Sequence, residues 1–112
     1  MSWRAFEDGR TLGQRGSEEG VILRDDEHDD GARITLERDG LRAPLAITSG
    51  IYGWMLHTRF FSREAEAQQA FDDMQAALGR IVGAIPRVDD PDRKKKSKAA
   101  ASAMAEFAER FP

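Results

Sequence analysis

Short runs of alternating apolar and polar residues, separated by tight turns, constrain the fold of this chain most strongly. Such a period of two is typical of a strand with one buried face. The strand-like runs are residues 21–24 continuing towards residue 27, then residues 32–38, 44–48 and 52–60. Their connections contain Asp-Gly or Ser-Gly pairs, which favour turns. Because parallel strands need crossovers of a dozen residues or more, the sequence predicts a four-stranded antiparallel β-meander.

Two helices are predicted after the strands. Ser62 is a suitable N-cap and Pro86 ends the first helix, whose apolar residues recur with helical spacing. These residues are Ala67, Ala70, Phe71, Met74, Leu78, Ile81, Val82 and Ile85. Asp90 and Pro91 mark the start of the second helix, which has an apolar stripe only within residues 99–111. The first helix packed on one face of the sheet gives an α+β fold in two layers.

Composition divides the chain into three parts. Residues 1–19 place glycines among polar side chains with no apolar period, which predicts a flexible N-terminal arm. Residues 20–86 hold the meander and the long helix and form the predicted core. Residues 87–112 form a polar linker followed by the C-terminal amphipathic helix.

The alternation also predicts which side chains face the helix. The expected core face carries Val21, Leu23, Ile34, Leu36, Leu45 and Ile47, joined by Trp54, Leu56 and Phe60 if the fourth strand is regular. The opposite face is mixed, and its candidate binding residues are Arg24, Arg33, Met55, His57 and Arg59. This second face is either a solvated surface with cross-strand charge pairs or a contact surface for a ligand or a second copy. A one-residue slip in any strand would exchange its faces.

The C-terminal helix favours a homodimer. If the long helix alone covers the sheet, the stripe formed by Met104, Phe107 and Phe111 needs another surface. Exchange of helices about a two-fold axis is a common route to a dimer. We therefore expect these three side chains in the dimer interface.

No motif in the chain predicts catalysis, a metal or a cofactor. The acidic run at residues 25–30 lacks the spacing of a calcium loop, and neighbouring residues on a strand point to opposite faces. It is interpreted as a solvated hairpin. His57 is the best candidate for acid–base chemistry because its ordinary pKa is near neutrality, but no orienting partner is evident. A small-molecule or enzymatic site around His57 remains an alternative function.

Nucleic-acid binding is the other alternative. All four lysines of the chain lie together, at Lys94, Lys95, Lys96 and Lys98, and the sheet face would add arginines. The aromatic run at residues 52–61 could stack bases, although core packing is the favoured interpretation. Three aspartates just before the lysines and a net charge of −3 argue against a general affinity for polyanions. The same order of elements occurs in some single-stranded-DNA-binding modules, but no motif here supports that analogy.

The remaining features bound the function without naming it. The chain has no cysteine, no signal-like N-terminus and no apolar run long enough for a membrane helix, so a cytoplasmic protein without a membrane partner is expected. We therefore predict a small, non-catalytic binding or protein-interaction module that forms a homodimer. A separate protein partner is also compatible with the sequence.

Overall fold

The computed structural model describes residues 3–112, which form one antiparallel sheet and two helices. The strands are β1 (Trp3–Ala5), β2 (Val21–His28), β3 (Ala32–Arg38), β4 (Leu45–Ile51) and β5 (Met55–Phe61), and the helices are α1 (Glu64–Gly83) and α2 (Arg93–Arg110). The predicted α+β class is confirmed. Neither helix in this part of the chain is long and apolar enough to cross a membrane.

The sheet is a meander in which each strand pairs with the next along the chain. Its order is β1-β2-β3-β4-β5, and every pair is antiparallel. The tight turn between β2 and β3 uses Gly31 at a φ of +103°, a conformation that glycine adopts without steric cost. Asp39 supplies the left-handed residue after β3, with a φ of +57°. Turn residues seen in the sequence therefore fix the connections of β3.

The prediction of four strands was wrong because the N-terminal residues add a fifth. Trp3 pairs with His28 and Arg4 with Glu27 in the β1–β2 ladder. The Trp3 ring contacts the His28 ring edge-on, with centroids 5.1 Å apart. Trp3 also packs closely on α1, because a Cβ at Gly79 of that helix would lie only 3.1 Å from the Trp3 indole nitrogen. A strand of three residues is too short to show a period. Distant partners hold this one, so sequence alternation could not reveal it.

The core lies between the sheet and α1. Phe71, Met74 and Leu78 of α1 are fully buried against the sheet residues Ile34 and Ile47. The stripe predicted for this helix thus forms the core, as its spacing indicated. The helix begins at Glu64, with Arg63 rather than Ser62 at the N-cap position and no side-chain cap.

Helix α2 completes the core within the same chain. Met104, Phe107 and Phe111 are buried, and the Phe107 ring lies edge-on to His57 of β5. These side chains therefore already have a covering surface, which removes the reason for assigning them to a dimer interface. The sequence could not show this, because it did not reveal that α1 leaves room beside β5 for a second helix.

Replacing Phe107 by alanine tests this packing. We expect Phe107→Ala to lower the free energy of unfolding by about 3–5 kcal/mol, because it opens a cavity in the core. Urea denaturation measures the change. The control Val88→Ala alters an exposed side chain and should shift stability by less than about 0.5 kcal/mol. Equal stabilities of the two variants would show that α2 does not dock here.

Candidate functional site

The sheet face that points away from α1 is called the open face, and it carries three rows of directly opposed side chains. The first row is Ile22, Glu37, Ala46 and Phe60; the second is Asp25, Thr35, Thr48 and Thr58; the third is Glu27, Arg33, Gly50 and Leu56. The threonine row includes a contact of 3.4 Å between the Thr48 and Thr58 hydroxyls. Each row crosses the sheet from β2 to β5.

The predicted faces of β5 are reversed in the structure. His57 stands opposite Ser49, and Arg59 stands opposite Ile47. The side chains of Ser49 and Ile47 are fully buried, so His57 and Arg59 lie on the helix side of the sheet. Met55 packs against the core in the same way. Leu56 and Phe60 consequently point outward and are 78% and 40% exposed. Large apolar residues occur at both the odd-numbered and the even-numbered positions of β5. Hydrophobicity alone therefore did not distinguish its two faces.

A bulge in β2 moves Arg24 to the helix side as well. The ladder shifts between Ile22 and Arg24, so the extra residue reverses the alternation from that point. The Arg24 guanidinium lies 3.9 Å from the Phe71 ring centroid and 3.0 Å from an Asp72 carboxylate oxygen. Of the five predicted binding residues of the second face, only Arg33 is on the open face.

Residues between Phe6 and Gly20 contact β2 and β3 on the open face, and Glu37 holds part of this segment there. The carboxylate of Glu37 is buried and accepts hydrogen bonds from the backbone N–H groups of Glu18 and Gly20, at 3.1 and 3.0 Å. A Cβ at Gly16 would collide with this carboxylate, and a Cβ at Gly20 would lie 2.6 Å from the Arg38 carbonyl oxygen. The glycines of this segment therefore allow the close approach that the carboxylate requires.

Arg33 and Asp25 form a second buried connection to the N-terminal residues. Two guanidinium nitrogens of Arg33 donate to the two carboxylate oxygens of Asp25, at 2.9 and 2.7 Å, and the Thr11 hydroxyl donates to Asp25 at 2.7 Å. The Phe6 ring covers the guanidinium at 3.6 Å. Hydrogen bonding to Asp25 raises the pKa of Arg33, although burial opposes that effect. Arg33 thus binds groups of its own chain, namely the Asp25 carboxylate and the Phe6 ring.

A cleft of about 700 Å³ lies on the open face beside the N-terminal segment. Its lining includes Gln14 and Ser17 of that segment, Thr48 and Gly50 of the sheet, and Trp54 of the β4–β5 turn. Tyr52 of the same turn donates a hydrogen bond to Glu27 at 3.1 Å. Desolvation, followed by this bond to a carboxylate, raises the pKa of Tyr52.

The outer edge of β5 has no strand partner within residues 3–112. Strand β5 is the last in the sheet order and pairs only with β4. Two large apolar side chains of this edge strand are exposed, namely Leu56 and Phe60. The prediction that Trp54, Leu56 and Phe60 face the core was wrong for the reason given above.

His57 is used for packing and not held by a carboxylate. Its Nε2 atom contacts the carbonyl oxygen of Phe111, and its ring lies 6.0 Å from that of Phe107. These two contacts of His57 join the C-terminal end of α2 to β5.

The lysine segment begins α2, away from the open face. Lys96 donates to an Asp90 carboxylate oxygen at 2.7 Å, which raises the pKa of Lys96 and lowers that of Asp90. Lys94, Lys95 and Lys98 are exposed. The structure does not bring these lysines together with Arg33.

The acidic run divides between the two faces of β2. Asp25 and Glu27 lie on the open face, whereas Asp26 lies on the helix side and accepts a hydrogen bond from Gln75 at 2.8 Å. Glu27 and Asp29 both contact Arg4. Among the residues that the structure describes, no group of three His, Cys, Asp or Glu side chains is arranged to hold a metal ion.

Comparisons with protein-family models, with curated proteins and with solved structures find no match to this chain. Its function is therefore argued from its own geometry.

Replacing Glu37 by glutamine tests how the N-terminal residues are held. We expect Glu37→Gln to lower the free energy of unfolding by about 1–3 kcal/mol, because the amide lacks the negative charge that strengthens both bonds to Oε1, and its NH₂ group would face the Glu18 N–H that now lies 3.3 Å from Oε2. Hydrogen exchange of the Glu18 and Gly20 amides should accelerate, and urea denaturation gives the stability. The control Glu66→Gln removes an exposed carboxylate and should leave both measurements unchanged. Unchanged exchange in Glu37→Gln would contradict the assignment.

Proposed function

We propose that this protein is a non-catalytic interaction module and that two copies pair through the outer edges of β5. The observation that supports this proposal best is the unpaired edge of β5, flanked by exposed Leu56 and Phe60. An exposed edge strand presents a row of backbone N–H and C=O groups that can pair with another strand. Exposed apolar side chains beside it would lose their contact with water on pairing.

The sequence of β5 is self-complementary in an antiparallel pairing. If a two-fold axis passes through Thr58, Leu56 of one copy stands opposite Phe60 of the other, and Met55 stands opposite Phe61. Each apolar pair occurs twice, because a two-fold interface uses the same patch on both copies. Cross-strand pairs of this kind contribute about 0.2–1 kcal/mol each. The pairing would join the two sheets into one continuous sheet.

The two edges of the sheet differ in their protection against such pairing. Natural edge strands are protected by shortness, Lys, Pro or bulges. The edge strand β1 has only three residues and carries Arg4, whose guanidinium contacts acidic side chains. The edge strand β5 has seven residues and contains neither Lys nor Pro. Its charged residue Arg59 points to the helix side, where it lies 4.7 Å from the Phe61 ring.

The other functions considered from the sequence have weaker support. A nucleic-acid interface on the sheet would use Arg24 and Arg59, but both lie on the helix side. A site around His57 would need a ring free to act, and that ring contacts Phe107 and the Phe111 carbonyl. We retain a cytoplasmic location as a proposal, based on the absence of cysteine.

Charge placed on β5 tests the proposed dimer. We expect the unmodified protein to sediment as a dimer at concentrations on the order of 100 µM, and Leu56→Lys or Phe60→Lys to raise the dimer dissociation constant at least about tenfold. Either change removes both Leu56–Phe60 pairs of the two-fold interface, and a lysine on an edge strand opposes pairing with a second strand. Analytical ultracentrifugation across a concentration series measures the constant.

A matched control is available elsewhere on the surface. Leu41 is 83% exposed and lies outside β5, so Leu41→Lys adds the same charge without touching the proposed interface. It should leave the dissociation constant unchanged. A monomeric unmodified protein, or equal weakening by Leu41→Lys and Leu56→Lys, would refute the proposed interface.

A further inference from the structure

The cleft on the open face has the dimensions of a small-ligand site. Its volume of about 700 Å³ lies within the range of pockets that enclose small molecules, roughly 300–1,000 Å³. It lies between the N-terminal residues, which Glu37 and Asp25 hold in place, and the turn that carries Trp54. The walls are therefore anchored by buried hydrogen bonds rather than by surface contacts alone.

Each charged group around this cleft already has a partner within the chain. The guanidinium of Arg33 is paired with both oxygens of Asp25, and the carboxylate of Glu37 accepts backbone N–H groups. Arg15 at the rim lies 3.4 Å from a Glu19 oxygen. A charged ligand would therefore have to compete with these contacts, whereas an uncharged ligand would lose least solvation on entering.

The shape and chemistry of the cleft favour a flat ring. Gly50 has no side chain of its own between Arg33 and Leu56 in the third row, and a Leu56 methyl group lies 3.4 Å from where a Gly50 Cβ would be. Trp54, 42% exposed, provides an aromatic surface for stacking. Thr48 and Ser17 carry hydroxyl groups at 3.4 Å from the Thr58 hydroxyl and 3.5 Å from a Glu37 oxygen, and each hydroxyl oxygen keeps a lone pair that can accept a hydrogen bond.

We propose that this cleft binds a small, uncharged, planar heteroaromatic molecule stacked on Trp54, with its polar edge towards the hydroxyls of Ser17 and Thr48. The cleft shares Leu56 with the proposed dimer interface, whereas Phe60 contributes to the dimer pairing and does not line the cleft. Phe60→Lys therefore disturbs the proposed dimer without changing a residue of the cleft.

Titration with uncharged planar probes tests the proposal. Adenosine, caffeine and quinoline are added to the isotope-labelled full chain, with benzoate and benzylamine as charged probes of similar size. We expect at least one uncharged probe to shift the Trp54 indole N–H and Thr48 methyl resonances in a saturable way. The charged probes should bind at least about tenfold more weakly, because the charged groups of the cleft already have partners and would not replace the lost hydration of the probe.

Variants identify the site and separate it from the dimer. Trp54→Ala should weaken probe binding at least about tenfold by removing the stacking surface, as alanine substitution does for stacked bases. Leu41→Ala, a control at an exposed position outside the cleft, and Phe60→Lys should leave it unchanged. Absence of saturable shifts with all three uncharged probes at millimolar concentration would overturn the proposal. Equal binding of benzoate would also overturn it, as would stronger binding of an oligonucleotide than of adenosine.

Discussion

The buried carboxylate of Glu37 is the interaction on which the arrangement of the open face depends. It fixes residues 16–20 against β3 by accepting the N–H groups of Glu18 and Gly20. A buried charge is tolerated only when hydrogen bonds replace its lost hydration, and these backbone groups provide that replacement. The Asp25–Arg33 pair, contacted by Thr11 and Phe6, extends the same attachment along the N-terminal residues. The open face of β2 and β3 is thereby contacted by the N-terminal segment and not by a helix.

This covering gives the two ends of the sheet different properties. The β1 end is short and bordered by charged side chains, so it offers little to another strand. The β5 end keeps a seven-residue edge with apolar groups on both faces. Helix α2 covers the inner face of β5 and leaves the outer face, with Leu56 and Phe60, exposed. The interface proposed here therefore follows from where the chain places its own covering segments.

The sequence predicted those features that depend on local spacing. The stripe of α1, the turns around β3 and the alternation of β3 and β4 all agree with the structure, because each is set by neighbours along the chain. The site was less predictable. The inner and outer sets of β5 are both apolar, so Leu56 and Met55 could not be told apart by hydropathy. The bulge that turns Arg24 inward and the pairing of Trp3 with His28 depend on distant contacts. Recurrent glycines at positions 16 and 20 were the one local sign of a close approach.

Isotope-filtered nuclear Overhauser spectroscopy on an equal mixture of labelled and unlabelled protein tests the central claim most directly, namely that β5 pairs with β5 of a second copy. We expect cross-peaks between the Leu56 methyl groups of one copy and the Phe60 ring of the other, because these side chains are opposed when the axis passes through Thr58. A dimer whose only intermolecular cross-peaks involve α2 residues such as Phe107, or a sample with no intermolecular cross-peaks at all, would contradict it.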